Sequence, residues 1–253
     1  MLTHPLLPKL KALRLSGMLQ TLDTRALQAA ERSLTPTEFL AILLDDELER
    51  REQARLTRVV TEAGIDAGKT LAQFDFAAAP VINRNLVMEL ATGGFVGRAE
   101  NLLLTGPTGT GKSHLANALA WEVVKRGHTA HVRSTHRLLA DLQTARANGS
   151  FPRRFARLCA LDLVVLDDFG LRPLAASGAE DLYELIRARY ERKALLITSN
   201  RAFPEWPAVF GDALLASAAL DRLTHHCHTM VITGPSYRQR GRGTPPAAGG
   251  ADA

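Results

Sequence analysis

Hydrophobic and polar positions along the chain change rhythm near residue 75. Before that point apolar residues recur every three or four positions, the period of a helix with one buried face. The stretch "KLKALRLSGMLQTLDTRAL" places Leu15, Met18, Leu19 and Leu22 at this spacing. A second helix is predicted in "TPTEFLAILLDDELERR" with a defined start: Thr35 caps, Pro36 suits the first turn, and Glu38 completes a capping box. Leu40, Leu44 and Leu48 form its apolar stripe, with Asp45, Glu49 and Arg50 facing elsewhere. The charged run "DDELERREQAR" reads as a solvated face or as a surface for a partner.

From Phe74 onward, "NLLLTG", "TAHVRS", "LDLVVLDD" and "ALLITSN" are short apolar runs separated by helical stretches. That alternation predicts an α/β fold, a parallel sheet with helices on both faces, preceded by a small all-helical domain. The expected boundaries are 1–75 for the helical domain, 76–240 for the sheet domain and 241–253 for a tail. The tail is rich in Gly, Pro and Ala, which predicts disorder. The helix after "LDDFG" is expected to open at Ser177, with Glu180 as its box partner and Leu182, Leu185 and Ile186 turned inward.

Composition changes this picture little. The chain has 253 residues, 46% of them hydrophobic, enough for one large domain or a medium one with a small companion. A formal net charge of +5 raises the odds of a nucleic-acid partner only modestly. Cys159 and Cys227 lie far apart and read as free buried thiols in a reducing cytosol. No stretch approaches the roughly 18 consecutive apolar residues of a membrane span. The start "MLTHPLLPKLKALRL" lacks the apolar core and cleavage site of a secretory signal. A cytoplasmic protein with no membrane partner is expected.

The chemistry concentrates at strand ends. Gly106-Pro107-Thr108-Gly109-Thr110-Gly111-Lys112-Ser113 matches G-x-x-x-x-G-K-[ST] between a predicted strand and a predicted helix. Glycines let backbone N–H groups wrap phosphates, and the helix adds the positive end of its dipole. Lys112 should reach the β- and γ-phosphates of ATP, with Ser113 on Mg²⁺ and His114 following in the loop's reach. A second stretch, "GIDAGKT" at 64–70, has one residue too few between its glycines and follows a polar helix end, so it reads as a loop. In "LDLVVLDDFG" four apolar residues precede Asp167 and Asp168. Asp167 would bind the magnesium shell and Asp168 would orient or deprotonate water. "ALLITSN" ends in Thr198, Ser199 and Asn200, polar groups where ligands gather in open parallel sheets. The cluster "THHCH" offers histidines too close in sequence to converge easily on one ion.

In this order the motifs resemble the AAA+ ATPases. More narrowly, "FDFAAAP", "AENLLLTGPTGTGKSHLANALA", "VVLDDFG", "LIRARYERKALLITSN", "FPEW", "LDRLTHH" and "GPSYR" resemble the IstB-like ATP-binding proteins, transposition helpers of bacterial insertion sequences. The likeness extends to their relative, the helicase loader DnaC, though "LPKLKALRLSGMLQTL" favours the first. The resemblance implies a Walker A pair in Lys112 and Ser113, a Walker B pair in Asp167 and Asp168, and a sensor in Asn200. It also implies an arginine finger in Arg222, acting on a neighbouring subunit, and a second sensor arginine in Arg238. Walker B commonly ends in Asp-Glu; here Asp168 stands for the Glu, one methylene shorter.

Two helices are expected between "TAHVRST" and "LDLVVLDD", the second being "FPRRFARLCA". The extra helix resembles the DNA-channel insert of initiator-type AAA+ proteins. Its Arg153, Arg154 and Arg157 suit phosphates, while Phe151 and Phe155 can stack on bases or pack in the core. The whole pattern implies a homo-oligomer that assembles with ATP on double-stranded DNA. Such an assembly would recruit a transposase through the N-terminal domain and be reset by hydrolysis. A helicase loader is the near alternative, and a small-molecule P-loop kinase the distant one.

Overall fold

The computed structural model describes residues 5–79, 81–234, 236 and 237. Arg238 and the tail 241–253 lie outside the described residues. The chain falls into two compact units, divided between Val59 and Val60.

The first unit holds α1 (Leu7–Ala12), α2 (Ser16–Arg32) and most of α3 (Pro36–Ala63). The capping box forms as read: Glu38 N–H donates to Thr35 Oγ1 at 3.3 Å and Thr35 N–H donates to Glu38 Oε2 at 2.8 Å. Met18, Leu22 and Leu43 make a small core, joined by Leu7, Leu10, Leu15 and Phe39. The stripe expected to cover it stands in solvent instead: Leu40, Leu44 and Leu48 are 53%, 47% and 64% exposed. α3 carries two apolar stripes one residue apart, and the inward one is Phe39–Leu43–Glu47. The Glu47 carboxylate is buried and accepts the Gly17 N–H at 2.6 Å, one of the orphan donors in the first turn of α2. Burial opposes ionisation of Glu47, yet the Arg51 and Arg50 guanidiniums and the Gly17 N–H overcome it and hold the pKa at about 2. The helices meet so closely that a Cβ on Gly17 would stand 2.7 Å from Glu47 Cα. A fully paired carboxylate therefore decides which stripe is buried.

The second unit continues through α4 (Arg84–Ala91), α5 (Gly94–Gly97), β1 (Asn101–Thr105), α6 (Lys112–Lys125), β2 (Ala130–Ser134), α7 (Thr135–Ala147) and α8 (Phe151–Ala160). It then runs through β3 (Leu163–Phe169), α9 (Ala176–Arg189), β4 (Ala194–Ser199), α10 (Pro207–Phe210), α11 (Ala213–His225) and β5 (Cys227–Val231). The sheet is parallel throughout, in the order β2-β3-β4-β1-β5. Strand side chains alternate: Leu103, Val164, Leu166, Leu195 and Ile197 pack with Leu138, Leu182, Leu185 and Leu223 from the helices of one face. α6 covers the other face. Burial on both sides is why β1, β4 and the first four residues of β3 read as continuous apolar runs.

α9 starts at Ala176 with no side-chain cap, so the box expected at Ser177 and Glu180 does not form. Ser177 is already inside the helix, and its Oγ accepts from Gln143 Nε2 at 3.3 Å. Leu182, Leu185 and Ile186 are buried as expected. At the end of α9, the fully buried Arg189 donates to the carbonyls of Leu158, Leu161 and Ala194 at 2.6, 2.8 and 2.6 Å. Its cation thus satisfies the last carbonyls of α8 and ties that helix to the sheet. Cys159 and Cys227 are free and half-buried, and burial raises both thiol pKa values.

Candidate functional site

The loop between β1 and α6 is bent by glycines whose conformations no other residue adopts cheaply. Gly106 has φ 140°, and a Cβ there would stand 2.0 Å from the Ile232 carbonyl oxygen. Gly111, with φ 97°, caps α6 and faces Phe74, whose ring atoms would meet a Cβ at 3.0 Å. Lys112 opens α6 and is nearly buried; its Nζ donates to the carbonyls of Gly106 and Pro107, each at 2.7 Å. The loop thus closes around an ammonium at a helix N-terminus, an arrangement suited to an anion. It lines a cavity of about 480 Å³ together with Asp168 and Asn200; Thr108 to His114 all reach it.

β3 brings the carboxylates to the same sheet edge through an irregularity. Leu166 pairs with Ile197 and Phe169 with Ser199, so three steps on β3 span two on β4. The extra residue puts Asp168 at φ 55°, exposed and facing the cavity, while Asp167 stays half-buried beside Thr198. Bulges re-aim side chains in this way beside functional sites. Thr198 Oγ1 donates to Asp167 Oδ1 at 2.5 Å and accepts the Asp168 N–H at 2.9 Å. Ser199 Oγ donates to the Phe169 carbonyl at 2.8 Å. Of the three polar residues ending β4, only Asn200 reaches the cavity; Thr198 and Ser199 are fully buried and hold the acidic strand end in shape.

Sequence reasoning missed the opposite wall. Lys69, Gln73, Phe74, Asp75, Ala78 and Ala79 line it, and the first of these belongs to "GIDAGKT". That stretch is a loop, as read, but Asn117 on α6 draws it to the site. Asn117 accepts the Asp66 N–H at 2.9 Å and donates to the carbonyls of Asp66 and Lys69 at 2.8 and 3.1 Å. His114 Nε2 lies 2.9 Å from the Thr70 carbonyl, and its ring meets Phe74 edge-on at 5.3 Å. The signals in sequence are "FDFAAAP", which carries four of these wall residues, and the polar Asn117 among the apolar residues of α6. Across the loop, Tyr237 N–H donates to the Gly109 carbonyl at 2.9 Å, and Tyr237 lines the cavity.

The remaining candidates stand apart. Arg222 is not among the described residues lining the cavity of its own chain; its Nη1 donates to the Ala218 carbonyl at 2.7 Å and its guanidinium lies 5.7 Å from the Tyr183 ring centre. Arg153, Arg154 and Arg157 are exposed on α8. Phe151 and Phe155, stacked at 5.3 Å and half-buried, pack against the core.

The groups present fit a magnesium nucleotide. A glycine cradle that a Cβ would fill and a buried lysine at its centre match the shape and charge of a polyphosphate, and the carboxylate facing it suits a cation or a water beside the phosphates. Ser113 and Asp167 could hold Mg²⁺ through oxygen, and a bound ion would supply charge neutralisation for the phosphates. Among the described residues no helix is long and apolar enough to cross a membrane.

Comparison with known proteins shows the family of the chain. The chain is 40% identical to an insertion-sequence ATP-binding protein of Mycobacterium tuberculosis, over 92% of this chain and 93% of that protein. It is 37% identical to the ATP-binding protein of insertion sequence IS21 from Pseudomonas aeruginosa, over 93% and 89%. In fold it is similar to AMPPCP-bound DnaA from Aquifex aeolicus, with TM-score 0.56 and 20% identity over 66% of this chain and 51% of that one. It is also similar to the DnaC helicase loader, with TM-score 0.50 and 21% identity over 60% and 90%. The family model of the IstB-like ATP binding proteins matches residues 8–244, and with nine-tenths of the chain aligned to insertion-sequence relatives, the chain belongs to that family of AAA+ fold ATP-binding proteins.

Proposed function

We propose that this chain is an ATP-hydrolysing, DNA-binding regulator of transposition, which assembles as a homo-oligomer on double-stranded DNA in the cytoplasm and recruits a transposase through its N-terminal helices. The observation that carries the reading is that a phosphate cradle opens at the ends of the strands while Arg222 is not among the described residues lining it. Lys112 and the loop N–H groups bind the phosphates, Ser113 and Asp167 hold Mg²⁺, and Asp168 takes the proton of the attacking water with Asn200 beside it. Transition-state charge is then completed by Arg222 of a neighbouring subunit. The exposed arginines of α8 meet DNA phosphates, and Arg189 holds that helix to the strand bearing the polar end. Asp168, one methylene shorter than the Glu commonly found there, suits a slow timer. The likeness to the helicase loader is one of fold and carries no partner across.

Mixed subunits test the reading. Arg222→Ala chains and Lys112→Ala chains, each inactive alone, regain part of the DNA-stimulated phosphate release when combined, since one interface pairs an intact ATP site with an intact arginine. Such arginines contribute about 10³–10⁵ in rate. No recovery, with co-assembly demonstrated, overturns action in trans. Arg153, Arg154 and Arg157 changed together to Ala flatten the salt dependence of DNA binding; an unchanged slope removes α8 from the interface.

A further inference from the structure

The histidines of "THHCH" were expected to lie too close in sequence to share an ion, and the structure reverses that expectation. Within a continuous helix adjacent side chains diverge by about 100°. Here the helix ends between them: His225 is the last residue of α11, and His226 leaves helical geometry with φ −126° and ψ 85°. Both imidazoles then face Glu191, which sits in the tight turn between α9 and β4 at φ 55°. His225 Nδ1 lies 3.4 Å from Glu191 Oε1 and His226 Nε2 lies 3.6 Å from the same oxygen. All three candidate ligand atoms lie within 4.8 Å of one another. Ligands about 2.0–2.1 Å from a tetrahedral ion stand roughly 3.3–3.4 Å apart, so two of the three separations already match.

We propose that Glu191, His225 and His226 form a divalent transition-metal site, Zn²⁺ by its chemistry, with water in the fourth position. Two imidazoles and one carboxylate are a borderline donor set that favours Zn²⁺ over Mg²⁺. The three side chains are 51–55% exposed, so closing the remaining gap takes rotamer changes and leaves the backbone in place. The Tyr190 hydroxyl, 2.9 Å from His225 Nδ1, yields that lone pair to the ion. Cys227, adjacent in sequence, is not part of the cluster: its thiol donates to the His228 carbonyl. The site is separate from the nucleotide cavity. It lies where β4 and β5 begin, at Ala194 and Cys227, whereas the phosphate loop follows the end of β1 in the same parallel sheet. An ion there ties the α9–β4 turn to the end of α11, three residues beyond Arg222. It therefore steadies the helix that carries the arginine.

The test uses the full chain without an affinity tag, stripped of metal with EDTA and titrated with Co²⁺, whose visible absorption reports low coordination number. One equivalent of Co²⁺ is expected to produce the bands, one equivalent of Zn²⁺ to bleach them, and millimolar Mg²⁺ to leave them intact. Zn²⁺ at a hundredfold excess over its Kd is expected to raise the melting temperature by roughly 5 °C. His226→Ala and Glu191→Gln each lose roughly 100-fold or more in affinity, since even residues behind a metal ligand cost 10–100-fold. Both variants melt like wild type in EDTA, because neither side chain is buried. His128→Ala, just before β2 and 4.0 Å from Asp162, changes nothing. Absence of Co²⁺ bands at 100 µM metal, or bands surviving unchanged in both variants, overturns the site.

Discussion

Two loops of this chain end in Gly-Lys followed by a hydroxyl residue, and both reach the same cavity, yet they are different objects. "GPTGTGKS" leaves β1, a strand buried at every position, and enters α6, so its backbone N–H groups are held between two rigid elements. Lys112 is drawn inside, 6% exposed. "GIDAGKT" leaves the polar end of α3, leads into further loop, and has its carbonyls taken by the Asn117 side chain. Lys69 pairs with Asp66 at 3.0 Å with nearly half its side chain in water. The comparison teaches that a phosphate site belongs to the junction of strand and helix, where donors are pre-aimed at no further entropic cost. The same residues on a tethered loop make a wall.

Lys112→Ala separates the two loops most widely. It removes charge-assisted contacts of about 1.5–3 kcal/mol each, so ATP affinity measured with a fluorescent analogue falls roughly 1,000-fold. A loss below tenfold would break the assignment of the first loop. Gly111→Ala comes next, at roughly 30-fold, because a left-handed Ala costs about 1–2 kcal/mol and its Cβ also meets Phe74. Adding Phe74→Ala recovers the steric part and leaves the conformational part; full recovery would show that φ is not the constraint. Asn117→Ala releases the second loop. Three hydrogen bonds are lost, so affinity falls roughly fivefold to tenfold and thermal melting drops by about 4 °C. Unchanged affinity would make the wall a bystander. Lys69→Ala is the smallest change, within about threefold, as befits an exposed ion pair. An effect matching that of Lys112→Ala would erase the distinction altogether.

Residues close in sequence made much of this protein legible. The phosphate loop, the Thr35–Glu38 box, the buried strands and the inward face of α9 follow from spacing alone, because backbone geometry couples neighbours within a turn or a strand. Where two solutions satisfied the same period, tertiary contacts chose. α3 offered two leucine-bearing stripes, and the Gly17 N–H selected the one containing Glu47. β4 offered three polar residues, and pairing with the bulged β3 buried Thr198 and Ser199 and left Asn200 at the cavity. Adjacent histidines came together because α11 stops between them, and Glu191 met them from 34 positions away. Periodicity and local sterics act over a few residues and are written in the chain. Which polar group is desolvated, and by whom it is paired, depends on atoms distant in sequence, and only the folded sheet and its helices decide it.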